Sequence, residues 1–169
     1  MPLRYLVVMR VSTSLALIAL TGLLLFPVSA EAKSQRCTRE DLSMKLSLDR
    51  KSYPPGEPVK MRFIVKNISG EPCRVVFPNG RKATFEILND EGVVRDDSCQ
   101  AYTQAIEEQE WAADHREVYR FRWGQRRTPE NCEGRGVRAG PGSYSARALF
   151  DGARSGTVKT KRVPFIIGD

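Results

Sequence analysis

The sequence predicts an all-β fold, an antiparallel sandwich, and three observations support that prediction. Apolar and polar residues alternate in many short segments, which is the period of a half-buried strand. Turn-forming residues, chiefly Gly, Pro, Asn and Asp, separate these segments at short intervals. The sequence carries almost no segment with the period of an amphipathic helix. Short strands joined by turns indicate two antiparallel sheets packed face to face.

The first half of the chain contains five such segments. Two of them, 42–49 and 59–66, place apolar side chains at every second position over their whole length. A proline-rich break lies between them, where prolines cannot donate to a strand ladder and Gly56 allows a tight turn. The predicted strands are 42–49, 59–66, 73–77, 83–88 and 93–95, and the turns are 53–58, 67–72, 78–80 and 89–92.

The most pronounced pattern runs from Trp111 to Phe150. Aromatic residues alternate with arginines in its first part, so one face of that strand is aromatic and the other is basic. A second alternating strand begins after Pro141 and Gly142, beyond a long polar loop. We expect the two strands to join as an antiparallel sheet with one solvated face. The inward positions are Tyr119, Phe121 and Trp123 in the first strand and Tyr144, Ala146, Ala148 and Phe150 in the second.

Two further segments are less regular. The spacing of apolar residues in 101–111 fits either a strand or a short amphipathic helix. The final segment, 157–167, is predicted to be an edge strand because Pro164 lacks the N–H that a central strand needs. We expect Trp123 to pack in the core, whereas the pattern leaves the position of Trp111 open.

The N-terminus has the features of a secretory signal peptide. Arg4 and Arg10 precede an uncharged apolar stretch, and small residues then fit cleavage after Ala30 or Ala32. An uncleaved membrane anchor is the alternative, since the stretch is almost long enough to span a bilayer. We expect 1–30 to be the signal peptide, 31–41 a short polar lead-in and 42–169 one domain. The mature protein would be periplasmic or extracellular, with no membrane span.

Four cysteines, Cys37, Cys73, Cys99 and Cys132, all follow the predicted signal peptide. An even number in an exported chain suggests two disulfides. A zinc site is disfavoured because no two cysteines have C-x-x-C spacing and the chain has a single histidine. Tracing the strands up and down brings Cys37 and Cys73 to one end, and Cys99 and Cys132 to the other. We therefore predict the pairs Cys37–Cys73 and Cys99–Cys132.

The charge of the chain is basic but not specific. The formal net charge is +7, and cleavage after Ala30 removes Arg4 and Arg10 but no acidic residue, which leaves +5. A basic domain favours anionic surfaces without identifying one. No nucleic-acid-binding motif is present, so we expect no nucleic-acid partner.

An ordered set of motifs spans about 42–150, nearly the whole predicted domain. Its members are YPPGEPV at 53–59, VKNIS at 65–69, FPNG at 77–80, FEI at 85–87, DEG at 90–92, AYTQA at 101–105, Trp123 and PGSY at 141–144. In this order they resemble the BsuPI-type intracellular proteinase inhibitor domain. The resemblance implies an immunoglobulin-like β-sandwich and a proteinase-inhibitor role. The family is named for an intracellular protein, whereas this chain has an export signal and four cysteines.

The loop 124–140 is the best candidate for an inhibitory segment. It is long for a connection between strands, and Cys132 would tether it. Four basic side chains could enter a protease pocket: Arg126, Arg127, Arg135 and Arg138. The alternative is a solvated basic loop whose cysteine is purely structural. The segment 78–82 is a weaker second candidate and is more simply a hairpin turn.

Catalysis is not expected. A serine triad would require His115 as its base, but this histidine lies in a polar turn, and no Gly-x-Ser-x-Gly motif occurs. Disulfide formation would remove the cysteines as nucleophiles. We expect a monomeric, non-catalytic domain without metal or cofactor that binds a protein, with a serine protease as the class that the basic loop suits. The alternative is a cell-envelope interaction or assembly module that inhibits nothing.

Overall fold

The computed structural model describes residues 34–168, and every regular helix or strand within them is a β-strand. The strands are β1 (Leu42–Leu48), β2 (Ser52–Tyr53), β3 (Val59–Asn67), β4 (Cys73–Phe77), β5 (Ala83–Asn89), β6 (Gly92–Arg95), β7 (Glu107–Trp111), β8 (Arg116–Trp123), β9 (Gly142–Ala153), β10 (Gly156–Lys159) and β11 (Val163–Ile167). The predicted signal peptide, 1–30, lies outside the described residues. Among residues 34–168, none forms a helix that is long and apolar enough to cross a membrane.

The strands form two facing sheets and a short two-stranded extension. One sheet has the order β1-β3-β8, and the larger one has the order β2-β11-β9-β5-β6, with β10 also paired to β9. The extension is β4-β7. The ladders are antiparallel except the short contact of β2 with β11. This architecture confirms the predicted all-β antiparallel sandwich.

The aromatic face of β8 fills the space between the two sheets. Phe121 lies 5.3 Å from Phe85 of the opposite sheet, and Trp123 lies 5.8 Å from Tyr144, measured between ring centroids. Trp123 is buried as predicted, and Trp111, whose position the sequence left open, is also buried in the core. Each large ring that packs between the layers removes a large apolar area from water.

The expected pairing of the two strands that flank the loop 124–140 is wrong. β8 pairs along its whole length with β3, whereas β9 lies between β11 and β5 in the other sheet. The loop therefore crosses from one layer to the other instead of closing a hairpin. The expected hairpin at 78–82 is also wrong, because β4 pairs with β7 and β5 pairs with β9.

The two irregular segments resolve into shorter strands. The strand alternative is correct for Glu107–Trp111, and residues 101–106 have no regular structure. The final segment contains two strands, β10 and β11, instead of one, and the predicted edge position is wrong for β11, which lies between β2 and β9. Pro164 faces Ser145 of β9 at a position that β2 does not reach, because β2 pairs only with Ile166 and Ile167. Its missing N–H is therefore not needed for a ladder.

Both predicted disulfides are present, and their Cα atoms are 5.0 Å apart in each pair. Cys37–Cys73 joins the lead-in to the first residue of β4 and is buried in the core. Cys99–Cys132 joins the segment after β6 to the loop 124–140 near the surface.

A fully buried amide at the end of β3 holds the turn that follows it. The Asn67 Nδ2 atom lies within hydrogen-bond distance of three backbone carbonyl oxygens, those of Glu71 (2.8 Å), Trp111 (3.2 Å) and Ala112 (3.0 Å). Its Oδ1 accepts from the backbone N–H and the hydroxyl of Ser69, at 3.0 and 2.8 Å. One side chain therefore connects the turn after β3 to the end of β7.

We expect Asn67→Ala to lower the free energy of unfolding by about 2–4 kcal/mol, because it leaves several buried carbonyl oxygens without a donor. Urea denaturation followed by tryptophan fluorescence measures the change. Ser69→Ala, which removes one exposed hydroxyl at the same turn, should lower it by less than about 1 kcal/mol. Equal losses in the two variants would contradict the role given to the Asn67 amide.

Candidate functional site

The segment 124–140, here called the crossover loop, folds back on itself as two short limbs. The Arg127 N–H donates to the Val137 carbonyl, and the Ala139 N–H donates to the Gln125 carbonyl, both at 2.9 Å. An antiparallel bridge between Arg126 and Arg138 lies between these two bonds. The limbs thus form a small ladder that stands outside both sheets.

A buried glutamine fixes the base of the loop. The Gln125 Oε1 accepts from the Gly56 N–H at 2.6 Å, and its Nε2 donates to the carbonyls of Pro54 (2.9 Å) and Glu57 (2.7 Å). Both polar atoms of this side-chain amide therefore form hydrogen bonds with the backbone of the turn between β2 and β3. Gln125 holds a left-handed backbone, with φ of 54°, which a non-glycine residue rarely adopts unless its surroundings require it.

Two further bonds strengthen the lower part of the loop. The Trp123 Nε1 donates to the Arg126 carbonyl at 2.8 Å, so the core indole is tied to the loop. The Arg126 guanidinium donates to the Gly136 carbonyl on the opposite limb, also at 2.8 Å. Arg126 therefore holds the two limbs together and is half-buried.

The far part of the loop is tied to β6 and to the segment that follows it. The Thr128 N–H donates to the Val94 carbonyl, and the Asp96 N–H donates to the Thr128 hydroxyl, both at 3.0 Å. Burial alone would raise the pKa of Asp96, but hydrogen bonds from Ser98 and Thr128 hold this pKa below its ordinary value. The Cys99–Cys132 disulfide adds a covalent tether at the tip of the loop, residues 132–137.

The four arginines singled out from the sequence occupy different environments. Arg126 is bound within the loop, and Arg127 lies half-buried with its guanidinium 3.3 Å from the Glu91 carboxylate. Arg135 and Arg138 are exposed. Arg135 is at the tip, between Gly134 and Gly136.

The backbone of the tip bends repeatedly. Cys132, Gly134 and Gly136 all have positive φ, at 60°, 71° and 64°. An extended segment cannot contain such residues, and peptides that bind by strand addition must be extended. The tip can therefore present the Arg135 side chain and the exposed Val137, but its backbone does not have the shape of an extended peptide.

The other candidate residues have structural surroundings. His115 lies in a turn with its ring 4.7 Å from the Trp111 ring and its Nε2 3.3 Å from Glu117. In the weaker candidate segment 78–82, the Arg81 guanidinium is bound to Asp151 and Asp97 and is not available to a partner. Within residues 34–168, no group of three or more His, Cys, Asp or Glu side chains could hold a metal ion.

Comparison with known proteins gives one match to a family. The profile of the family described as BsuPI, intracellular proteinase inhibitor, matches residues 46–155. No curated protein matches the chain.

Solved structures with a similar arrangement of strands are distant. A β-glucosidase from Listeria innocua is 15% identical over 76% of this chain and 16% of its own, with a TM-score of 0.42. The DNA glycosylase AlkC from Pseudomonas fluorescens is 12% identical over 76% and 31%, with a TM-score of 0.44. A CARDB domain from Pyrococcus furiosus is 11% identical over 76% and 91%, with a TM-score of 0.38. The chain thus spans a small part of the two enzymes, and TM-scores below 0.5 bear on no functional argument.

Proposed function

The chain belongs to the BsuPI intracellular proteinase inhibitor family, and on that basis we propose that it inhibits a proteinase, without being an enzyme itself, through the crossover loop. The partner would be a serine protease whose specificity pocket accepts a basic side chain. Arg135 would fill that pocket, since it is exposed at the tip.

The observation that supports this proposal most is the number of points at which the loop is held. Gln125 fixes the base, Thr128 ties one limb to β6, and the disulfide at Cys132 fixes the tip. A loop that is ordered before binding loses little conformational entropy when a partner docks on it. This requirement distinguishes an inhibitory loop from a mobile surface loop.

The bends on both sides of Arg135 offer a reason why the loop would resist cleavage. A protease hydrolyses a peptide that lies extended through its active site, whereas Gly134 and Gly136 hold left-handed conformations. The arginine side chain could enter the pocket while the peptide bond stays out of line for attack. Should a cut occur in the tip, the Cys99–Cys132 disulfide would keep the fragments together.

We further propose that the protein acts as a monomer outside the cytoplasm, in the periplasm or the extracellular space. Two disulfides are typical of proteins that fold in an oxidising compartment. The name of the family refers to an intracellular inhibitor, so this chain would be an exported form of that fold.

Arg135→Ala is expected to raise the inhibition constant against a susceptible protease by about 30-fold, which is the effect of losing an arginine that carries much of an interface's binding energy. Titration of serine proteases that cleave after basic residues, with wild type and variant in parallel, measures this change. Arg154→Ala, an exposed arginine in the β9–β10 turn, is the matched control and should leave the constant unchanged. The loop assignment is wrong if both variants inhibit as wild type does.

A second function is favoured by the internal use of two of the four loop arginines. Arg126 and Arg127 are bound within the molecule, as expected for a loop that is only structural. In that case the protein would be an interaction or assembly module of the cell envelope. It would leave every protease in the panel unaffected, and cross-linking in envelope extract would still retain a protein partner.

A further inference from the structure

The outward face of the β1-β3-β8 sheet is covered by basic side chains. The inward positions of these strands are apolar except Asn67 and Glu117, and the alternate positions point to solvent. Seven of the eleven outward positions are Lys or Arg, and none is acidic. This cationic face comprises Lys45 of β1, Lys60, Arg62 and Lys66 of β3, and Arg116, Arg120 and Arg122 of β8.

The register of β3 and β8 places like charges directly opposite each other three times. Arg62 lies opposite Arg120 in the ladder, and Lys60 and Lys66 lie opposite Arg122 and Arg116. Like charges at opposing positions of a ladder destabilise the sheet. The sequence thus contains an arrangement that lowers the stability of the isolated domain, as expected where charges serve a partner outside it.

These charges also lack partners within the domain. Lys66 pairs with Asp114 at 2.6 Å, but the other six have no ion pair among residues 34–168. The larger sheet is different, because its Arg147 and Lys159 both pair with Glu86. The cationic face therefore keeps six unpaired charges, whereas these two cations of the larger sheet are neutralised by a carboxylate.

A shallow depression of about 460 Å³ lies at one end of the cationic face. Four of the cations line it: Lys60, Arg62, Arg120 and Arg122. The one acidic group at its edge, Asp49, already accepts a hydrogen bond from the Tyr53 hydroxyl at 2.6 Å. Leu48, Met61 and Phe121 also line the depression, so it combines four cations with apolar surface in an area that is small compared with the whole face.

We propose that the cationic face docks on the surface of an anionic phospholipid bilayer, with a headgroup phosphate in the depression. The cations are spread in two dimensions over three neighbouring strands, as a planar surface of charge requires. Each Lys or Arg close to an anionic bilayer adds to the attraction. This inference does not depend on the proposed inhibition.

The remaining outward positions argue against other anionic partners. Ser43, Ser47, Ile64 and Val118 occupy them, so no aromatic side chain points outward from these three described strands. Platforms for single-stranded nucleic acid use aromatic rings on which bases stack. The centre of a protein interface is depleted of charged residues and relies on aromatic anchors, whereas this face is charged throughout and has no outward aromatic ring. A lipid surface needs neither feature.

The test is co-sedimentation of the whole chain with vesicles of phosphatidylcholine alone and with vesicles that contain about one third phosphatidylglycerol. The ratio of the two partition coefficients is the readout, because it cancels any binding by the apolar segment 11–30. We expect wild type to prefer the anionic vesicles by at least about 100-fold at low salt and to lose this preference in 0.5 M NaCl. The double variant Arg62→Gln/Arg120→Gln should lower the ratio about 25-fold, at about fivefold for each charge.

The matched control is Lys161→Gln/Arg162→Gln, which changes the net charge equally at exposed positions between β10 and β11. It should keep most of the anionic preference. Since Arg62 and Arg120 repel each other, the test variant should be no less stable than wild type, so weak binding would not reflect unfolding.

Three results would overturn the proposal. They are equal binding to both kinds of vesicle, equal loss in the test and control variants, and tighter binding at the same salt to a single-stranded oligonucleotide or to poly-glutamate than to the anionic vesicles. The last result would assign the face to a nucleic acid or to an acidic protein.

Discussion

Arg81→Ala is expected to lower the free energy of unfolding by about 3–5 kcal/mol, because it leaves two carboxylates without their cation in the interior. The Arg81 guanidinium binds Asp151 through two nitrogens and Asp97 through the third, at 2.9 Å for the latter. The Asp151 side chain is only 3% exposed. These two carboxylates raise the pKa of Arg81, so the group stays charged at any pH at which the protein would be studied.

This arginine adds a side-chain connection among segments that the ladders of β5 with β9 and with β6 already bring close. Arg81 precedes β5, Asp97 follows β6, and Asp151 belongs to β9, where it also accepts from the Thr157 hydroxyl at 2.6 Å. Loss of the guanidinium would release the start of β5 and the segment that carries Cys99. Arg81→Lys should recover only part of the stability, since an ammonium group cannot bind both carboxylates with the same geometry.

Urea denaturation measures the loss, and the control is Arg50→Ala. Arg50 pairs with Glu57 at 2.5 Å, but the side chains of that pair are 47% and 34% exposed, and exposed pairs contribute about 0–1 kcal/mol. A loss in Arg81→Ala that matched the loss in Arg50→Ala would refute the idea that the buried cluster holds these segments together.

The strands could be predicted from the sequence because the information is local. Alternation alone predicts β1, β4 and the inward side of β9. The structure agrees at Cys73–Phe77 to the residue, and it ends β1 at Leu48, one residue before the predicted end. The disulfides followed from tracing antiparallel strands, which fixes the end of the sandwich at which each cysteine lies. The hairpin of β5 and β6 was also predictable, since its turn residues lie between two alternating segments.

The pairing of strands was not predictable in the same way. Alternation identifies which side chains of β8 and β9 face inward, but both facing sheets of a sandwich have inward faces. Which strands pair depends on contacts between distant parts of the chain. These contacts pair β8 with β3, and they pair β9 with β5 and β11. The cationic face was not predictable for the same reason. Each strand alone predicts solvent-exposed arginines, but only the pairing of β3 with β8 makes the basic side chains of the two strands neighbours.

The candidate site was predictable as a loop but not as a structure. In the sequence Arg126, Arg127, Arg135 and Arg138 are equivalent, and only their partners in the fold distinguish the bound pair from the exposed pair. Gln125 was missed altogether. Its partners, Pro54, Gly56 and Glu57, lie about 70 residues earlier, and no local pattern marks a glutamine that will be buried.

Removal of Cys37–Cys73 is expected to destabilise the domain more than removal of Cys99–Cys132, although both close loops of nearly equal length. The sequence separations are 36 and 33, so the chain-entropy argument gives about 4 kcal/mol for each. The difference comes from packing. Cys37 and Cys73 are 0% and 5% exposed, whereas Cys132 is exposed and Cys99 is half-buried.

We therefore expect Cys37→Ala/Cys73→Ala to exceed Cys99→Ala/Cys132→Ala by about 1–3 kcal/mol in the free energy of unfolding, since only the first leaves a cavity in the core. The loss of inhibition should have the opposite order, with the larger loss in Cys99→Ala/Cys132→Ala. At a temperature where both remain folded, loss of Cys99–Cys132 frees the tip that carries Arg135 and should weaken inhibition at least tenfold, whereas loss of Cys37–Cys73 should leave it near the wild-type value. If both variants lost stability and inhibition in the same proportion, the tether at Cys132 would have no role beyond holding the fold.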